Sequence, residues 1–380
     1  MCSCFIDSYW QLVAPAPDGV DEQGDTVYSD IERGFDRPNL HVMVQGSLYG
    51  RYRYFVNMAS PGSGGVDDEP VQLRNAWVEA PLVGERLGVR AGKLYRRFGL
   101  YNEILDAVPT FIGIEPPELF DKDHLMLTRT TNLMLFGTVP LGGGVNLNYA
   151  ATTGNDESTG GVPLGLDVHA RGTTFRVGSS FYTTGGPAGP TRAVGEGSPR
   201  GGVANWMAED QYMVYGGYAE VTPGPWTVQA EYWRADHDAT RDPAQVGALV
   251  GSGIEPWHVD RFVNADGGVV EETSYTVQTA YGRLGYAINV GDKSSVVPYL
   301  QTDWYSNPEL VGDKDLGGDN EAGLADNGQF LKFTAGSVIR PVPEVALKLD
   351  GSGHLIEYNG ASEFYPEVRA SFSYMWQVKP

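Results

Sequence analysis

The feature that most constrains this chain is the way its strand-like runs are joined. Runs of alternating polar and apolar residues fall at 40–55, 71–83, 87–98, 124–139, 143–153, 164–170 and 173–183. They continue at 210–222, 225–238, 272–290, 296–306, 329–340, 344–350 and 364–376. The connections are long and short in turn: 56–70, 99–123, 154–163, 184–209, 239–271, 307–328 and 351–363 are long, whereas 84–86, 140–142, 171–172, 223–224, 291–295 and 341–343 are short. The short ones carry Pro and Gly, as at Thr222 to Pro225 and Arg340 to Pro343. A meander with tight turns at one end and long loops at the other predicts an all-β fold, a transmembrane antiparallel β-barrel. A soluble sandwich or propeller has no reason to sort its loops by length in this way.

The alternation itself supports a barrel wall. From Leu40 to Phe55, Val42, Val44, Leu48, Tyr52 and Tyr54 take one parity while His41, Gln45, Ser47, Arg51 and Arg53 take the other. Trp226, Val228 and Tyr232 alternate with Gln229 and Glu231, which predicts the first set toward lipid and the second toward the lumen. In the last run Val368, Ala370, Phe372, Tyr374 and Trp376 alternate with Arg369, Ser371 and Ser373, and aromatics at a strand end suit an interfacial belt. Parity crosses near Lys93 and near Arg283, where bulges or Gly bends are expected. A membrane strand needs only ~10 residues, so a mean hydropathy of -0.27 and the absence of an apolar run of ~20 residues leave a membrane barrel open. Fourteen runs are clear; a weaker N-terminal pair at Ser8–Val13 and Thr26–Ile31 brings the expected total to about sixteen. Residues 1–38 are read as an N-terminal segment holding that first hairpin, and 39–380 as the barrel.

Net charge is -21, which argues against a nucleic-acid partner. The 27 cations divide into 20 Arg and 7 Lys, favouring the planar fork that holds a carboxylate or phosphate at two points. Cys2 and Cys4, the sole cysteines, lie one residue apart at the N-terminus and cannot staple the fold. No basic stretch followed by an apolar one precedes Asp7, so the sequence is read as a mature or truncated form of an exported chain.

The stretch from Leu87 to Met134 concentrates the candidate functional residues. Arg90, Lys93, Arg96 and Arg97 fall within eight residues, and a long connection follows that carries Glu103 and Glu118 around an apolar patch at Phe111 and Ile114. Pro116 and Pro117 forbid a regular helix there. These cations, joined by Arg51 and Arg53, are read as one wall of a constriction, and Glu103 and Glu118 on an inward-folding loop near 99–123 as the opposing face. With sixteen strands that loop is the third long one.

The segments Val71 to Glu79, Leu87 to Lys93 and Phe98 to Glu103 resemble the paired strands and the R-A-G…F-G-L pattern of the outer-membrane porins that include the phosphate-selective and dicarboxylate-uptake porins. The resemblance covers about residues 40–150 and is architectural beyond them. It implies a sixteen-stranded barrel in the bacterial outer membrane, surrounded by its lipid, commonly a homotrimer, passing small hydrophilic and anionic solutes by diffusion without chemistry or cofactor.

Other classes fit less well. No G-x-S-x-G elbow, P-loop or H-E-x-x-H occurs, and the six histidines are dispersed. Asp236-His237-Asp238 is the best acid–base cluster, and Asp313, Asp315 and Asp319 could hold a loop Ca²⁺. A soluble β-rich ligand-binding protein and a barrel enzyme or adhesin are the alternatives to a porin.

Overall fold

The structure, a computed structural model, describes residues 2–35, 38–60, 71–104, 110–114, 117, 130–155, 161–186, 200–311 and 321–378. The first strands are β1 (Cys2–Val13), β2 (Pro17–Val20), β3 (Thr26–Tyr28), β4 (Glu32–Phe35), β5 (Asn39–Leu48), β6 (Tyr52–Ser60), β7 (Gln72–Val83) and β8 (Leu87–Leu94). Next come β9 (Thr130–Gly142), β10 (Val145–Asn155), β11 (Leu164–Arg171), β12 (Phe175–Thr183), β13 (Met207–Val221) and β14 (Trp226–Arg241). The chain ends with β15 (Glu272–Tyr286), β16 (Ile288–Val290), β17 (Ser294–Ser306), β18 (Gln329–Arg340), β19 (Val345–Tyr358) and β20 (Ala361–Val378).

Eighteen of these segments form one antiparallel sheet. β4 and β5 share one place beside β1, and β15 and β16 share one beside β17, so the wall has sixteen strands. It closes on itself: β1 pairs with β20 from Cys2↔Val378 to Val13↔Glu367 and with β5 from Cys2↔Val44 to Asp7↔Asn39. Closure satisfies every strand edge, which a hydrocarbon surrounding requires.

The total of sixteen is reached by a different route from the one the sequence suggests. Residues 40–55 are not one strand but the hairpin β5–β6, turned at Tyr49 and Gly50, whose φ values are 54° and 64°. Three residues separate the paired Leu48 and Tyr52, so inward and outward positions stay in phase across the turn and the alternation runs on unbroken. Of the weak N-terminal pair only Ser8–Val13, the end of β1, lies in the wall, while Thr26–Tyr28 pairs with Pro17–Val20 as a small hairpin outside it. The stretch 351–363 is no long loop: β19 and β20 meet at Asn359-Gly360, both with positive φ, as a two-residue hairpin turn demands. Gly353 within β19 has the Phe364 ring laid over it, where a Cβ would stand 2.5 Å from a ring carbon. The parity break expected near Arg283 does not occur: odd positions from Tyr275 to Gly285 are buried, and β15 and β16 pair with β17 in one register on either side of Ala287.

The outward face is apolar and the inward face polar. Trp226, Val228 and Tyr232 on β14 are 44%, 41% and 44% exposed, whereas Gln229 and Glu231 are 8% and 3% exposed. Leu347, Leu349, Phe364, Phe372, Tyr374 and Leu135 continue the outward belt around the wall. Such side chains are stable only against lipid, and a soluble barrel would bury them.

The densest packing lies inside the barrel. Phe98, Leu100, Tyr101 and Phe111 from the β8–β9 connection join Tyr182, Trp233 and Tyr281 of the wall. The same cluster takes in Trp206, Leu249, Phe262 and Leu310 from the long connections flanking β13 to β18. One of these carries helix α1 (Pro243–Gly251), begun by the Asp242 side chain accepting from the Ala244 amide at 2.8 Å, with Pro243 at its first position. Arg241 anchors the neighbouring loop through Glu309 at 2.6 and 2.8 Å, and the Trp206 indole donates to the same carboxylate at 3.0 Å.

Candidate functional site at the inward loop

Three adjacent strands build the floor of the site. Register places Arg53 on β6 opposite Glu79 on β7, and Glu79 opposite Arg90 on β8, so a carboxylate stands between two guanidinium groups on one face. Arg53 donates from Nε to Glu79 Oε1 at 2.7 Å and also through Nη2. Arg90 donates to Glu79 Oε2 from Nη2 at 2.8 Å and from Nε at 3.1 Å. Its guanidinium lies 4.1 Å from the Trp77 ring centre, a cation–π contact that fixes its plane.

The loop root supplies the second carboxylate. Beyond Leu94 the chain leaves the wall, and Asn102–Ile104 forms a single 3-10 turn. The Asn102 amide donates to the Arg96 carbonyl at 2.8 Å, folding the segment back on itself. Glu103 then reaches both ways, accepting from Arg90 Nη1 at 3.0 Å and from Arg97 Nε at 3.2 Å. Burial alone would raise the Glu103 carboxyl, but Arg97 and Arg90 outweigh it and hold the group at about 2.

Past this clamp the loop runs along the inner wall. The Gly99 amide donates to Ser180 Oγ on β12 at 3.2 Å, and the Leu100 amide to both oxygens of Glu231 on β14 at 3.2 Å. Tyr101 donates its hydroxyl to Gln229 at 2.7 Å and accepts a short bond from Arg283 on β15. Farther on, Ile114 donates its amide to Asp350 on β19 at 3.3 Å, and the Lys348 ammonium donates to the Gly113 carbonyl at 2.7 Å. The connection that leaves at β8 is thus tied to β12, β14, β15 and β19 in turn.

Of the residues picked out from the sequence, Arg53, Arg90, Arg97 and Glu103 meet in one network. Arg96 is buried beside them, but its guanidinium lies 4.3 Å from the Tyr182 ring centre, over β12. Arg51 sits in the exposed β5–β6 turn and donates to the Pro81 carbonyl at 3.4 Å, outside the cluster. Lys93 pairs with Ala76 and shares parity with Ala91, so the register gives it the face opposite Arg90. Glu118 lies outside the described residues, as do Asp313, Asp315 and Asp319. Asp236-His237-Asp238 is split by strand alternation: Asp236 pairs outward with Arg234 at 2.8 Å, while His237 turns inward to Asp210 at 3.0 Å.

Sequence reading missed Glu79, although opposite charges at facing strand positions were its signal. It also missed Arg283, Lys348 and Asp350, since nothing in their own strands marks them as partners of a loop some 170 to 240 residues earlier.

No family profile and no curated protein matches this sequence. Solved structures do match in shape. An anion-selective porin from Comamonas acidovorans superposes with a TM-score of 0.59 at 14% identity, over 99% of both chains. The outer-membrane channel DcaP of Acinetobacter baumannii gives 0.54 at 9% identity, over 99% of this chain and 96% of that one. The outer-membrane protein OmpT of Vibrio cholerae, in a trimer form, gives 0.54 at 11% identity over 99% of each. The fold is that of the outer-membrane porins. With its apolar belt and closed wall, the barrel belongs in the bacterial outer membrane.

Proposed function

We propose that this barrel is a diffusion channel for small hydrophilic solutes, that it prefers small anions such as carboxylates and phosphate, and that it performs no chemistry on them. The observation carrying the preference is the charge count at the loop root. Three guanidinium groups, Arg53, Arg90 and Arg97, share two carboxylates, Glu79 and Glu103, which leaves one formal positive charge. Exposed loop charge is screened over ~8 Å at physiological salt, whereas confined charge is screened far less. The local excess therefore outweighs the total of -21 for a solute inside the barrel. Binding at such a site must be weak enough to release the solute, and a cluster of already paired arginines on one side of the wall meets that condition.

One neighbour in shape is itself described as anion-selective, and another as a trimer, which supports both this preference and assembly as a homotrimer. Reversal potentials across a planar bilayer in a KCl gradient test the reading. The native channel should favour chloride, and Arg53→Gln with Arg97→Gln should move the potential toward potassium. A native channel that favours potassium sinks the anion preference and leaves a general porin.

A further inference from the structure

The short-turn end of the barrel holds a second feature that the loop-root cluster does not use. A cavity of about 310 Å³ opens there between Thr110 of the inward loop and the turns that join β16 to β17 and β18 to β19. Lys293 and Arg340 line it, with Ser295, Glu344 and Met375. Ser295 stands directly opposite Arg340 in the β17–β18 register, and Lys293 lies two residues before Ser295. The Met375 amide donates to the Glu344 carbonyl at 2.8 Å, closing the side toward β20.

The charge continues inward from this cavity. Val338 on β18 faces Lys348 on β19, and Arg340 lies two residues beyond Val338, so Lys293, Arg340 and Lys348 form a file from the mouth to the inward loop. Lys348 ends that file by donating to the Gly113 carbonyl. Among the described residues, two cations, two hydroxyls and one carboxylate, that of Glu344, line the cavity. Its volume equals that of roughly ten liquid waters, enough for a small oxyanion that keeps part of its hydration shell.

We infer that this cavity is a periplasmic anion station, at which a small oxyanion rests between the Lys293 ammonium and the Arg340 guanidinium as it leaves the barrel. The inference rests on the channel reading above. A guanidinium and an ammonium facing one pocket suit phosphate or a short carboxylate, with the Ser295 and Thr110 hydroxyls as additional donors. Glu344 on the rim weakens the hold and so speeds release.

Inorganic phosphate is the probe. Added to single channels in constant KCl, it should reduce the current saturably. Lys293→Gln with Arg340→Gln should raise the half-blocking phosphate concentration roughly tenfold, while the KCl reversal potential keeps its sign. Glu344→Gln should lower the half-blocking concentration. Equal block in the native channel and the double variant overturns the station without touching the channel reading. A native preference for potassium overturns that reading instead.

Discussion

The Lys348 ammonium on β19 donates to the Gly113 carbonyl at 2.7 Å and so ties the far end of the inward loop to a strand six places round the closed wall from β8, where the loop begins. Asp350, two residues on, accepts from the Ile114 amide and from the Tyr299 hydroxyl at 2.6 Å, so the loop end is held at two neighbouring points. Replacing Lys348 with Met keeps the stem and removes the charged donor, at a cost of about 1.5–3 kcal/mol. The expected result is a barrel that assembles normally but shows larger open-channel current fluctuations. Unchanged single-channel noise would mean that Lys348 does not hold the loop.

Glu103 yields a prediction in pH. Its carboxyl is held at about 2, below the ordinary value near 4.5, so its contribution to holding the loop is fully present above that ordinary value and is lost as pH falls toward 2. Glu103→Gln removes the charge at every pH and should increase the preference for chloride. The difference between native and variant reversal potentials should therefore stay constant from about pH 7 to pH 4 and shrink only as pH approaches 2. A difference that already vanishes near pH 4 would show that Arg90 and Arg97 do not hold the carboxyl down.

The facing of β14 can be checked with one pair of variants. Val228 is exposed on the outside and Gln229 is buried within. Val228→Asp places a charge against lipid and should cost roughly 1–2 kcal/mol and slow assembly, whereas Gln229→Asp lies beside Arg283 and should assemble as the native chain does. Heat-modifiable gel migration gives the folded fraction of each. Equal folding of the two would refute the assignment.

The buried pair Arg241 and Glu309 supports a prediction about the loops over β13 to β18. Both side chains are almost wholly enclosed, and Glu309 also accepts from Trp206. Glu309→Ala leaves Arg241 charged and without its carboxylate, which should cost about 3–5 kcal/mol. Most of that loss should appear as loosened loops rather than an open barrel. Protease sensitivity confined to residues 200–206, 242–271 and 307–328 would match it; resistance equal to the native chain would not.

Fold and site were legible in the sequence to different depths, for physical reasons. Loop sorting and period two report on neighbours along the chain, and they revealed the barrel because each wall strand pairs with its sequence neighbour. They failed at Leu48 to Tyr52, where a three-residue turn preserves parity, and at Gly351 to Gly353, where glycines suggest a loop although one is roofed by an aromatic ring. Arg90 and Glu103 lie thirteen residues apart in one strand-and-loop unit, close enough for the sequence to single out both, but it set the carboxylate across a constriction from the cations whereas Glu103 bonds Arg90 directly. Arg283 and Lys348 could not be tied to the loop, because the path of a loop across a barrel interior leaves no period in either segment.

The seam between Cys2 and Val378 sets how the molecule comes into being. Its first strand has no partner on one side until its last strand arrives, so the ring of hydrogen bonds cannot be completed on a partly made chain. A contact spanning nearly the whole sequence carries the largest loop-closure entropy the chain can offer and comes late and slowly. Until then both terminal strands present bare edges to any other strand they meet, and the unfinished chain is at its most vulnerable to aggregation just before the ring shuts.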